Sequence, residues 1–171
     1  MCYNAARMWT ARRILKELAD ADRRRAILVS FWKSAEPQHR MVVQMQLAKS
    51  LHFREETIRK MPPEKKADLL ASRIGVPDFD QYLEMALMAY HTTQKNELLA
   101  AFLDRWSVPH ENGSIESDDY KVPSADEVRA ATRELTQFDP VDVKIYLATA
   151  GLLMADEWRD ATWPVVDEFE S

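Results

Sequence analysis

The chain has 171 residues, 46% hydrophobic and 30% charged, with a net charge of −5. That suits one core-forming globular domain and excludes a disordered polypeptide. Three glycines leave little for phosphate-cradling loops or a hairpin-rich fold, and one cysteine, Cys2, excludes an intrachain disulfide framework.

Charge is unevenly spread. Residues 1–66 carry 15 Lys/Arg and 7 Asp/Glu, a net of +8. Residues 67–171 carry 8 and 21, a net of −13. The basic part is suited to phosphate, or the two parts attract each other within or between molecules, or both are solvated surface. The first residues, "MCYNAARMWTARR", lack the apolar stretch of a secretory signal. The longest nearly apolar run, 145–155, is about half of the roughly 20 residues a membrane span needs. The expectation is a cytoplasmic protein with no membrane partner.

Helical spacing dominates the chain. In 5–22, Met8, Ala11, Ile14, Leu15 and Leu18 recur at three and four residues. Asp20 or Asp22 then caps a segment with Ile27, Leu28, Phe31 and Trp32 on one side. The run Arg23-Arg24-Arg25 spreads over nearly a full turn and reads as solvated surface paired to Asp20 or Asp22. Glu36-Pro37 marks a break and a new start. The helix that follows is expected to bury Met41, Val42, Met45, Ala48 and Leu51. A short helix over 54–61 stops at Pro62-Pro63.

Next comes a helix over 63–75, ended by Gly75 with Pro77 just beyond. Two more helices follow, carrying Tyr82, Leu83, Met85, Ala86, Met88 and Ala89, then Leu98, Leu99, Phe102, Leu103 and Trp106. Residues 107–123 have no helical pattern. Asn112-Gly113 predicts a chain reversal there, with irregular structure after it. Ser124 and Glu127 form a capping-box pattern, and Asp139-Pro140 is a cap followed by a first-turn proline. A long helix runs over 139–158, and Pro164 interrupts the tail.

The reading is therefore one all-α domain, 1–171, of about eight helices with essentially no β-sheet. Helical hairpins are stacked orthogonally or as a loose solenoid, with a basic lobe 1–66 and an acidic lobe 67–171 sharing one core. Residues 22–30 and 64–72 resemble each other but do not recur a third time, so no regular repeat is assigned.

One stretch has a motif-like pattern. Residues 46–61, "QLAKSLHFREETIRKM", place Ala48, Leu51, Phe53, Ile58 and Met61 as a helix-turn-helix does: a small residue in the first helix, then apolar positions around a tight turn. The segment resembles a DNA-binding helix-turn-helix. That resemblance implies Arg54, Thr57, Arg59 and Lys60 on the exposed side of a recognition helix, facing phosphates or base edges. His52 stands where the turn usually has Gly, and Glu55-Glu56 put carboxylates where phosphate would lie. Two ordinary packed helices would share the same apolar pattern.

No other chemistry is assembled. His39, His52, His91 and His110 lack metal-ligand spacing, and no nucleophile motif is present. No catalytic residue, cofactor or metal is assigned. Trp158 and Trp163, in the acidic tail, are the candidate partner anchors, unless the tail folds back on its own domain. By elimination, the leading reading is a non-enzymatic helical protein acting through a protein partner or by self-association. The alternative is a DNA-binding regulator using 46–61. An enzyme whose site is assembled from distant residues is third.

Overall fold

The computed structural model describes residues 8–117 and 119–169. Cys2 lies outside them. The described residues form an all-α structure of ten helices and one tiny two-strand hairpin, with 72% of the chain helical. The chain divides into two compact units, one of residues 19–94 and one in which the segment up to Leu18 joins the segment from Lys95 onward.

The first unit, 19–94, is built on α2 (Ala21–Ser34). Asp20 caps it as expected, its carboxylate accepting from the Arg23 amide at 2.8 Å. The buried stripe is Ile27, Leu28, Phe31 and Trp32, and α2 packs it against α5 (Pro63–Ala71) and α6 (Asp80–Gln94). Phe31 meets Trp32 edge-on at 5.1 Å and Tyr82 at 6.3 Å. Of the arginine run, Arg23 pairs with Asp20 and Arg25 reaches Asp68 on α5 at 3.2 Å. The change of charge sign at 66/67 falls inside α5.

Between α2 and α5 lie α3 (Pro37–Leu51) and the five-residue α4 (Glu55–Arg59). Pro37 occupies the first turn of α3, where its missing N–H costs nothing. His52 ends α3 in the left-handed conformation, φ 56° and ψ 35°. The Phe53 amide then donates to Ala48 O and the His52 amide to Lys49 O, the paired bonds that close a helix around a left-handed residue. α5 stops at Ala71, four residues before Gly75, and Gly75 is not in the left-handed region that a glycine stop would need. A 3-10 turn, Pro77–Phe79, leads into α6.

The second unit opens with α1 (Ala11–Arg13), which runs on as a π-helical turn, Ile14–Leu18, packed against α9 (Pro140–Leu153). Trp9 is buried and carries the Arg13 guanidinium 4.0 Å above its ring. α7 (Asn96–Arg105) ends at Ser107, again left-handed, with the Val108 amide donating to Leu103 O.

The connector after α7 reverses at Asn112-Gly113 (φ 50° and 88°), pairing β1 (His110–Glu111) with β2 (Ser114–Ile115). Positive φ at both central residues is what a type I′ hairpin turn requires. Tyr120 further along accepts from Trp158 Nε1 at 3.2 Å.

α8 (Ala125–Glu134) carries the complete Ser124–Glu127 capping box. Asp139 caps α9. The long helix predicted over 139–158 is in fact two. Met154 and Ala155 are extended, and α10 (Asp156–Glu168) starts after them. Pro164 sits inside α10 instead of ending it. That α10 packs on both α8 and α9 supplies the tertiary contacts that hold the helix past its proline.

Candidate functional site: the outer face of α3 and its groove

α3 has apolar residues on two sides. Val43, Leu47 and Ala48 are buried. Met41, Val42 and Met45 are exposed, at 53%, 40% and 50%. Leu51 is half-buried. The expectation that Met41, Val42 and Met45 face the core is therefore corrected; of the residues assigned to that face, Ala48 alone is buried. Positions two residues apart on a helix differ by about 200°, so the Met41/Met45 line and the Val43/Leu47 line lie on opposite sides. Either line alone satisfies helical periodicity. The sequence offered two stripes, and the core took the one at Val43.

The exposed face is also basic. α3 contains Arg40 and Lys49 and no Asp or Glu. Beside it, Trp32, Arg40, Met41, Glu55, Arg59 and Lys66 line a groove of about 420 Å³. Met41 belongs to both the apolar strip and the groove. Trp32 is 3% exposed, and its Nε1 has no acceptor among the described residues. Above its ring, at 5.5 Å, stands the Lys66 ammonium. Arg40 donates to the Trp32 carbonyl at 3.1 Å. Neither Arg40 nor Lys66 makes an ion pair among the described residues. Lys66 is held below its ordinary pKa, first by partial burial and then by the Arg40 charge. Two unneutralised cations near one another on an apolar floor are an arrangement that an anion relieves.

The helix-turn-helix segment meets this groove at one edge. Its tight turn is present, with His52 in the left-handed position. Ala48 and Ile58 are buried as the pattern expects, but Phe53 is 45% exposed. Arg54, Thr57, Arg59 and Lys60 are all on the surface. Glu56 takes up two of them, with Lys60 at 2.8 Å and Arg59 at 3.9 Å. The would-be recognition helix is five residues long. Turn and exposed cations are in place, then, but with two carboxylates among the cations and one turn of helix to carry them.

The two candidate anchor tryptophans lie elsewhere. Trp158 and Trp163 are fully buried in the second unit. The Trp158 indole donates to Tyr120 Oη, and that of Trp163 donates to Ala148 O at 3.1 Å. Each indole finds its acceptor inside the fold, so the expectation of exposed anchors is corrected: the tail docks on its own unit.

Other constellations hold less. His110 Nε2 lies 3.0 Å from Asp104 Oδ1, while its Nδ1 accepts from the Gly113 amide at 3.1 Å. The ring thereby ties the hairpin turn to α7. His91 is buried, 3% exposed, within α6. A second cleft, of about 180 Å³, is lined by Arg105, Trp106, Lys121 and Glu127. There Arg105 is matched by Glu134 and Lys121 by Glu127. Among the described residues no group of three or more His, Cys, Asp or Glu could hold a metal. Among the described residues no helix is long and apolar enough to cross a membrane. In comparisons with known proteins, no family model, no curated protein and no solved structure matches the chain.

Proposed function

We propose that the chain is a helical binding protein that engages a partner protein through the outer face of α3. One observation carries this reading: a helix with a second apolar line, Met41, Val42 and Met45, exposed to solvent beside a groove. Scattered exposed apolar residues are ordinary, but a contiguous line on one helix face is the usual mark of a docking surface. Methionine adds adaptability, since its unbranched thioether repacks around varied partners. Covering a half-exposed Met contributes on the order of 1 kcal/mol, so the strip supplies several such increments.

A separate partner fits better than a second copy of the same face. Two α3 faces brought together would set Arg40 and Lys49 against their own copies with no acid on either helix. The test is a selection of random dodecamer peptides on the intact chain, with light scattering for its oligomeric state. Peptides that bind wild type and not the M41S/M45S variant, with circular dichroism unchanged, are the expected result. Peptides indifferent to M41S/M45S would sink the reading. A dimer dispersed by M41S/M45S would replace the partner with self-association.

A second reading, a DNA-binding regulator, keeps support from the exposed Arg54, Thr57, Arg59 and Lys60. It predicts salt-dependent binding to duplex DNA that R54A/R59A/K60A abolishes. Absence of binding at low salt removes it.

A further inference from the structure

We propose that the groove beside α3 is a carboxylate clamp, so that the partner segment taken by this face is an acidic peptide with an apolar side chain next to its acids. The proposal rests on the reading of α3 as a docking face and names the chemistry of what docks there.

Charge complementarity selects the occupant. Arg40, Arg59 and Lys66 line the groove against the single carboxylate of Glu55. Arg59 is only loosely engaged, its guanidinium 3.9 Å from Glu56. Arg40 and Lys66 have no carboxylate partner among the described residues, although surface cations elsewhere in this acidic chain commonly do, as Arg25, Arg105 and Arg129 show.

The floor of the groove is apolar. Trp32, 3% exposed, lines it, and its indole N–H is buried without an acceptor among the described residues. A carboxylate seated over that floor accepts from the Lys66 ammonium and the Arg40 and Arg59 guanidinium groups that line the groove.

Geometry sets the order of contacts along the bound segment. Met41 is shared by the groove and the exposed strip, so an acid seated over Lys66 and Trp32 leaves the neighbouring residue of the peptide against Met41 and, a turn along α3, Met45. An apolar residue next to the acid is what that surface rewards. A neutral apolar peptide would gain the strip and leave the clamp unused. A nucleic acid would gain the clamp, yet its sugar–phosphate chain has nothing to set on the methionines.

The experiment reads the composition of dodecamers enriched on the intact chain, then their affinities for wild type, R59Q/K66Q and M41S/M45S. Arg40 is left in place because it also holds the Trp32 carbonyl. Enrichment of Asp and Glu beside Leu, Phe or Met is the expected result. R59Q/K66Q should weaken those peptides about tenfold, and Asn/Gln twins of the peptides should be weaker on wild type by a similar factor. Neutral enriched peptides that still require Met41 and Met45 overturn the clamp and leave the α3 face standing. Failure to enrich any peptide dependent on either pair overturns both. Binding of short duplex DNA that R59Q/K66Q abolishes, with no acidic peptide bound, overturns the clamp in favour of phosphate.

Discussion

Gly151 is the position at which α9 admits the indole of Trp163. A β-carbon built at Gly151 would stand 2.5 Å from Trp163 Cδ1 and 2.6 Å from Thr162 Oγ1, closer than real β-carbons come to anything. Trp163 and Thr162 are both fully buried, so neither can swing away. G151A should therefore destabilise the second unit by about 2 kcal/mol, although alanine is the better helix former. Urea unfolding followed by tryptophan fluorescence measures it. A G151A variant as stable as wild type would mean that α9 and α10 separate more easily than their packing implies.

His52 gives a prediction of the opposite sign. It is an exposed residue with a side chain held at φ 56°. The left-handed conformation costs a non-glycine residue on the order of 1 kcal/mol, partly offset in glycine by its freer unfolded chain. H52G should raise stability by about 0.5 kcal/mol. The denaturation midpoint should move up while peptide binding at α3 stays the same.

Acid should act on the second unit through three depressed carboxylates. Glu127 is held below the ordinary range by the Ser124 amide and hydroxyl, Glu134 by Arg105, and Glu168 by Arg129. A carboxylate whose folded pKa lies below its unfolded value contributes stability that is complete above that unfolded value, near 4.5, and lost as pH falls through the folded one. Stability should fall below pH 4.5 and hold steady above it on this account. E127Q should flatten part of that decline. Glu84 in the first unit is shifted upward, mainly by burial, and works the other way: its protonation favours the fold. Urea midpoints measured from pH 7 down to pH 3 check the sign.

The Lys95–Asp142 pair should matter more than any exposed ion pair. The two groups are 2.7 Å apart, with the Asp142 side chain 9% exposed and that of Lys95 31%. D142N removes the carboxylate facing the Lys95 ammonium in a partly buried site and should cost about 2 kcal/mol, less than a fully buried pair because Lys95 still reaches solvent. The exposed Arg105–Glu134 pair is the comparison, where E134Q should change stability much less than D142N does.

The helical class was legible wherever local signals agree with packing. Asp20, Ser124 and Asp139 cap the helices they were expected to cap, and Asn112-Gly113 turns the chain. Local rules failed at Gly75, since α5 has already ended at Ala71, and at two further places. Pro164 reads as an interruption, yet α10 runs through it under packing from α8 and α9. Met154 and Ala155 carry no breaker, and the chain still leaves the helix there. The face of α3 was illegible for a different reason. Two lines of apolar residues fit one helix, and periodicity has no means of choosing between them. That ambiguity is what the proposed docking face leaves in the sequence, since a helix with two apolar sides has one to spare. Trp32, Arg40 and Lys66 come from three helices, and no spacing along the chain brings them together.

The division of the chain carries a consequence for synthesis. The segment that ends at Leu18 packs its π-helical turn on α9, and everything from Ala19 to Gln94 is made in between. As the ribosome delivers the chain, α2 to α6 have all the partners of their own unit while Ile14, Leu15 and Leu18 still lack theirs. Folding domain by domain, the middle of this protein should close first. Ile14, Leu15 and Leu18 should then stay uncovered until α9 emerges, and that late, long-range closure should be slower than closure of the middle unit.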